Sequence, residues 1–128
     1  MAKVVSFSNQ KGGVGKTTSC VNIAAQIANK GKKVLMIDMD PQGNATSGVG
    51  IIKKSLKTTA FDLLTTDATV QDVMIKTRFD NLSIIPTNTT LARAEYELAD
   101  VENGEFVIKN KLEPVLSIFD YIIIDCPP

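Results

Sequence analysis

The run Asn9-Gln10-Lys11-Gly12-Gly13-Val14-Gly15-Lys16-Thr17-Thr18 decides the architecture, because it joins two segments of opposite periodicity. Before it, Lys3 to Ser8 carries Val4, Val5 and Phe7 and reads as a short strand. After it, Cys20, Val21, Ala24, Ile27 and Ala28 share one face at 3.6-residue spacing, which predicts a helix over 16–30. Gly31 suits the left-handed position that ends a helix, and Lys30, Lys32 and Lys33 suit the negative end of its dipole. Val34-Leu35-Met36-Ile37 then forms a continuous apolar run up to Asp38, the pattern of a strand covered on both faces. Strand, helix and strand in this order make one βαβ unit, and such units build parallel sheets with right-handed crossovers.

Beyond Ser47 the pattern weakens. Thr58 or Thr59 is placed to cap a short helix through Phe61, Leu63 and Leu64, and Thr69 another through Val70, Val73 and Met74. Leu82-Ser83-Ile84-Ile85-Pro86 reads as a third strand, and 91–99, with Leu91, Ala94 and Leu98 on one face, as a helix. A further helix is expected over 106–119, where Pro114 must kink it or begin a new turn. Tyr121-Ile122-Ile123-Ile124-Asp125 is a last buried strand, before Cys126-Pro127-Pro128. The expectation is an α/β fold, a mostly parallel sheet flanked by helices.

Composition narrows the chemistry. The 128 residues suit one domain, and 44% hydrophobic with 22% charged residues excludes disordered and low-complexity classes. Lys plus Arg and Asp plus Glu are each 14, so no bulk field draws the chain to nucleic acid or anionic lipid. The absence of histidine excludes Ser-His-Asp and Cys-His nucleophiles and HExxH zinc sites. Chemistry must run on carboxylates, lysines, hydroxyls, backbone groups or an oxygen-held metal. Cys20 and Cys126 form no CxxC pair and read as reduced, non-catalytic thiols. No apolar stretch approaches the ~18 residues of a membrane span, and Met1-Ala2-Lys3 leads into a strand rather than a signal peptide, so a cytoplasmic protein without membrane contact is expected.

In an open parallel sheet, ligands bind beyond the carboxyl ends of the strands. The glycine run, Asp38-Met39-Asp40-Pro41 and Asp125 all stand at such ends. Glycines let successive N–H groups form a concave nest, and the helix start adds its positive end, so the run is an anion site. Gly15-Lys16-Thr17 matches the end of the GxxxxGK[ST] phosphate-binding loop, in which the lysine reaches the β and γ phosphates and the hydroxyl ligates Mg²⁺. The first position of that pattern is Gln10 instead of Gly. Lys11 precedes the glycines and supplies a second cation, for a phosphate of its own nucleotide or of one on a neighbouring molecule. Asp125 fits the acid that holds Mg²⁺ through its water shell. Asp38 and Asp40, two residues apart, point the same way on an extended chain, so one serves the metal shell and the other orients a water.

Three runs, Lys11 to Thr18, Asp38-Met39-Asp40-Pro41-Gln42-Gly43-Asn44-Ala45-Thr46 and Ile123-Ile124-Asp125-Cys126-Pro127-Pro128, resemble the deviant Walker A ATPases of the ParA/MinD superfamily of P-loop NTPases. Gln10 is no departure from that deviant form, whose defining residue is the lysine at position 11. Asp40 to Asn44 is similar to the ParA/Soj partition branch more than to MinD, dethiobiotin synthetase or the nitrogenase iron protein, which remain the alternatives. The resemblance implies ATP and Mg²⁺ as cofactors, the preference for adenine resting on it alone. It implies a nucleotide-binding loop of Lys11, Gly12, Gly13, Val14, Gly15, Lys16, Thr17 and Thr18, with Thr17 and Asp125 on Mg²⁺. Lys16 would bind phosphate, Asp40 position the hydrolytic water and Asp38 support the site, while Lys11 would reach across an ATP-dependent sandwich dimer to the partner's phosphates. It further implies a chromosome or plasmid partition ATPase switched by nucleotide, with a ParB-like activator, non-specific DNA as cargo and nucleoid association. Because the family's fold continues past the strand of Asp125, residues 1–128 are expected to be the N-terminal part of one such domain, truncated there, weak or inactive alone and with an unpaired sheet edge. The DNA surface would lie outside this segment.

Overall fold

The computed structural model describes residues 1–7, 14–90 and 101–126, with side chains for 1–7, 18–90 and 107–126. Five strands form one sheet in the order β1-β5-β2-β4-β3: β1 is Lys3–Phe7, β2 Val34–Asp38, β3 Ile75–Lys76, β4 Leu82–Ile85 and β5 Tyr121–Asp125. The first four in that spatial order pair in parallel, and only β3 runs antiparallel, along β4. The three strands read from the apolar runs and the strand before the glycine loop are all present. The two residues of β3 carry no period that a sequence pattern reveals.

Alternation along the buried strands divides the core into two layers, one on each face. Val34 and Met36 of β2 join Ile84 and Ile123 against Cys20, Val21, Ala24 and Ala28 of helix α1 (Val14–Asn29). Leu35 and Ile37 join Ile85 and Ile122 on the opposite face. There they pack Leu63 and Leu64 of α3 (Ala60–Thr65), Val70 and Val73 of α4 (Val70–Val73), and Leu112 at the end of α5 (Val101–Leu112). The short α2 (Asn44–Gly48) follows β2 and packs on α1. Every residue of β2 is buried, as a strand covered by helices on both sides must be.

Local signals settle most helix boundaries. Thr59 accepts the Phe61 N–H at 3.2 Å while its own N–H donates to Asp62 at 2.7 Å, and Thr69 and Asp72 repeat the arrangement ahead of α4. Gly31, at φ +89°, closes α1 as expected. The helix expected over 106–119 begins earlier, at Val101, and ends at Leu112; Pro114, with no N–H to give, sits in a separate 3₁₀ turn over Glu113–Val115. The helix expected over 91–99 lies outside the described residues.

Strand β1 lies at the sheet margin, with Val4 47% and Val5 43% exposed, and among the described residues its outer edge pairs with nothing. Its inner edge bonds β5, from Lys3 N–H to the Asp120 carbonyl at 3.0 Å up to Cys126 N–H on the Phe7 carbonyl at 2.9 Å.

Leu35→Ala should lower unfolding free energy by about 2–5 kcal/mol in a denaturant titration, because it opens a cavity at a fully buried position. Ile52→Ala, at a site 70% exposed, should change it by no more than about 0.5 kcal/mol.

Candidate functional site

The register of β5 assembles the site. Asp125, its last residue, stands opposite Phe7 of β1 on one side and Asp38 of β2 on the other. Parallel neighbours lie about 4.8 Å apart, so two carboxylates meet at adjacent strand ends. Both residues are fully buried. Helix α1 begins at Val14, which puts Val14, Gly15, Lys16 and Thr17 in its first turn and leaves Thr18 exposed in the second. Lys11, Gly12 and Gly13 lie outside the described residues, and only the backbone of 14–17 is described. A helix start gathers N–H groups without intrahelical partners, together with the positive end of the dipole.

Asp38 is occupied by its own chain. Its Oδ1 accepts the Asp40 N–H at 3.2 Å, and its Oδ2 accepts both the Thr46 N–H at 2.9 Å and the Thr46 hydroxyl at 2.6 Å. Burial pushes the carboxyl up to about 6; the bonds from Thr46 and Asp40 pull the other way, and the charge of Asp125 adds to the rise. The Thr46 oxygen in turn accepts the Thr87 N–H at 3.0 Å, tying in the segment after β4.

Asp40 heads a tight turn. Its Oδ1 accepts the Gln42 N–H at 3.0 Å and its carbonyl accepts the Gly43 N–H at 2.8 Å. Asp40 is itself buried, with 7% exposed, and the chain turns just beyond it. Lys53 reaches back over the turn and donates from Nζ to the Gln42 carbonyl at 2.8 Å. Gly43 has φ +67°, and a Cβ there would stand 2.7 Å from Lys53 Cδ and 3.1 Å from the Thr87 carbonyl oxygen. The left-handed backbone and the nearby Thr87 carbonyl both favour glycine.

No sequence pattern assigns a part to Thr46, Thr87 or Lys53. Thr46 lies in a quoted run, but nothing in that run indicates that its hydroxyl bonds a residue eight positions back and another forty-one ahead. Two buried carboxylates in register, offering only oxygen, form the donor type that a hard dication such as Mg²⁺ takes.

Residues 2–128 match a family model described as an AAA domain, of ParA/MinD type. The chain belongs to this family. It is 50% identical over its whole length to the sporulation initiation inhibitor protein Soj of Bacillus subtilis and 42% identical to the chromosome partitioning protein ParA of Myxococcus xanthus. It spans 51% of the first and 45% of the second, about half the length of the curated relatives it matches. Among solved structures, it is similar to a Mycobacterium smegmatis protein described as cobyrinic acid a,c-diamide synthase with bound ADP and magnesium. That likeness has TM-score 0.93 and 35% identity, and covers 100% of this chain and 52% of the other. The fold is that of the ParA/MinD-type P-loop NTPases: a mostly parallel five-stranded sheet with flanking helices. No helix among the described residues is long and apolar enough to cross a membrane.

The raised Asp38 value makes a prediction for the nucleotide- and metal-free chain. A carboxyl at 3.8 unfolded and about 6 folded favours the native state fully below pH 3.8, and that contribution is lost as pH rises through 6. The gap corresponds to about 3 kcal/mol. Denaturant titrations from pH 4 to 7 should therefore show stability falling more steeply in the wild type than in Asp38→Asn; parallel curves would remove Asp38 as the titrating group.

Proposed function

We propose that the whole protein binds and hydrolyses ATP as a partition ATPase of the ParA/Soj kind. The observation that carries this reading is the β5 register, which stands Asp125 beside Asp38 at the sheet edge where α1 begins and where the Asp40 turn emerges. Membership of the ParA/MinD-type family and the names of the relatives support it.

The chain's residues divide the work. Backbone N–H groups of Gly12, Gly13, Val14 and Gly15 cradle phosphate oxygens, and Lys16 neutralises the β and γ phosphates. Thr18, one position beyond Thr17, completes the loop's contact with the nucleotide. Thr17 and Asp125 hold Mg²⁺, which when bound offsets negative charge on the phosphate oxygens. Asp40 accepts a hydrogen bond from the attacking water and orients it in line, and Asp38 keeps the turn that carries Asp40 in place. With no histidine in the chain, a carboxylate is the natural group for that task.

Lys11 supplies its charge across a dimer of two ATP-bound protomers. A cation given in trans to a phosphoryl group in transfer is worth about 10³–10⁵ in rate, so turnover waits on assembly. ATP binding then drives assembly and hydrolysis reverses it, under a ParB-like activator, on nucleoid DNA in the cytoplasm. A second reading, an ATP-dependent synthase of small molecules, is favoured by the likeness to the M. smegmatis protein. ATP-dependent retention on non-specific DNA separates the two.

For the whole protein, Lys16→Ala should abolish nucleotide binding in calorimetric titration, and tight binding by that variant would overturn the phosphate-loop assignment. Asp40→Ala should bind ATP and accumulate dimer on size exclusion without turnover; a normal rate removes Asp40 from the mechanism. Lys11→Ala should keep its circular dichroism and lose ATP-dependent dimerisation, whereas an unchanged dimer returns Lys11 to a solvated surface charge.

A further inference from the structure

We propose that Thr46 is a positioning residue for turnover: its buried hydroxyl, held between Asp38 and the backbone of Thr87, fixes the turn that carries Asp40. This rests on the reading of Asp40 as the water-orienting carboxylate.

The hydroxyl uses both of its capacities. It donates to Asp38 Oδ2 at 2.6 Å and accepts the Thr87 N–H at 3.0 Å, with Asp38, Thr46 and Thr87 all fully buried. A threonine inside a helix commonly turns its hydroxyl to the carbonyl three or four residues back. Here the hydroxyl is committed instead to β2 and to the segment after β4, so its role is tertiary and not local to α2.

Asp38 closes a loop with these bonds. One oxygen receives the N–H of Asp40 at the loop's start, and the other receives the N–H and the hydroxyl of Thr46 at its end. Residues 40–46 are thereby fixed at both ends to one carboxylate, with the left-handed Gly43 between. The Thr87 contact adds an anchor from the segment that follows β4, so the loop is referenced to the end of a second strand as well as to itself. Without the hydroxyl, the buried Thr87 N–H loses its acceptor and Asp38 loses its shortest donor, costs that the loop relieves by moving. Movement of Asp40 by about 1 Å is enough to lower a rate by about 10²-fold.

Thr46→Val keeps the shape and removes the hydroxyl; Thr46→Ser keeps the hydroxyl. In the whole protein, Thr46→Val should lower kcat for ATP by roughly 10- to 100-fold with its affinity for a non-hydrolysable ATP analogue unchanged, and Thr46→Ser should restore most of the rate. In nucleotide-free protein, amide hydrogen exchange at Asp40 and Thr87 should quicken in Thr46→Val and not in Thr46→Ser. If the valine variant does not fold, Thr46→Ala takes its place in the same series. Full kcat in Thr46→Val, a loss of analogue affinity instead of kcat, or a serine variant as impaired as the valine overturns the proposal. Loss of turnover in Asp40→Ala beside full turnover in Thr46→Val means that Thr46 alone was misread; full turnover in Asp40→Ala means that the reading of Asp40 itself fails.

Discussion

The fold and the site both depend on the placement of β5 between β1 and β2. Parallel ladders on its two sides put Phe7, Asp125 and Asp38 in one row across the sheet. Because side chains alternate with a period of two, a slip of one residue would send Ile122 and Ile123 to each other's layer and remove Asp125 from the row. The apolar cost of that slip falls on both layers at once. Hydrophobic burial thus sets the register, and the register sets which acids meet.

Burial at that row has a counterpart in charge. Burial, with the charge of Asp125 adding to it, raises the affinity of Asp38 for a proton, and Asp38 accepts three hydrogen bonds while its carboxyl still rises to about 6. A dication in reach of Asp125 would reverse the sign of that local field. In the metal-free chain the raised Asp38 carboxyl therefore costs stability at neutral pH. Lys53, lying over Gly43 with its ammonium on the Gln42 carbonyl, covers the outer side of the loop.

Much of this was legible in the sequence where one residue type has one physical use. The continuous apolar runs of β2 and β5 read as buried strands, Thr59 and Thr69 read as caps, and Gly31 read as a helix end; each is found in that role. The sheet's parallel character followed from the βαβ order. Asn44–Gly48 did not read as a helix, since Asn-Ala-Thr-Ser-Gly has no apolar stripe and its start is a left-handed glycine with no side-chain cap. The start of α5 was set too late because Glu102, Asn103, Gly104 and Glu105 offer no apolar period. In the site, residue types named the acids and the Asp40-Pro41 turn is local, but the bonds of the Thr46 hydroxyl join segments eight and forty-one residues apart, which spacing along the chain does not encode.

The central claim is that the row of strand ends faces a metal-bound nucleotide. It is tested most directly by amide NMR of the whole protein with ATP and Mn²⁺ in place of Mg²⁺, since the paramagnetic ion broadens signals according to distance. Loss of the Asp125, Cys126 and Thr17 signals and of those following Asp38 is expected, with Asn81 and Asp120, at the far ends of β4 and β5, left sharp. Sharp signals along that row in the nucleotide-saturated protein, or broadening centred on Asn81 and Asp120, would contradict it.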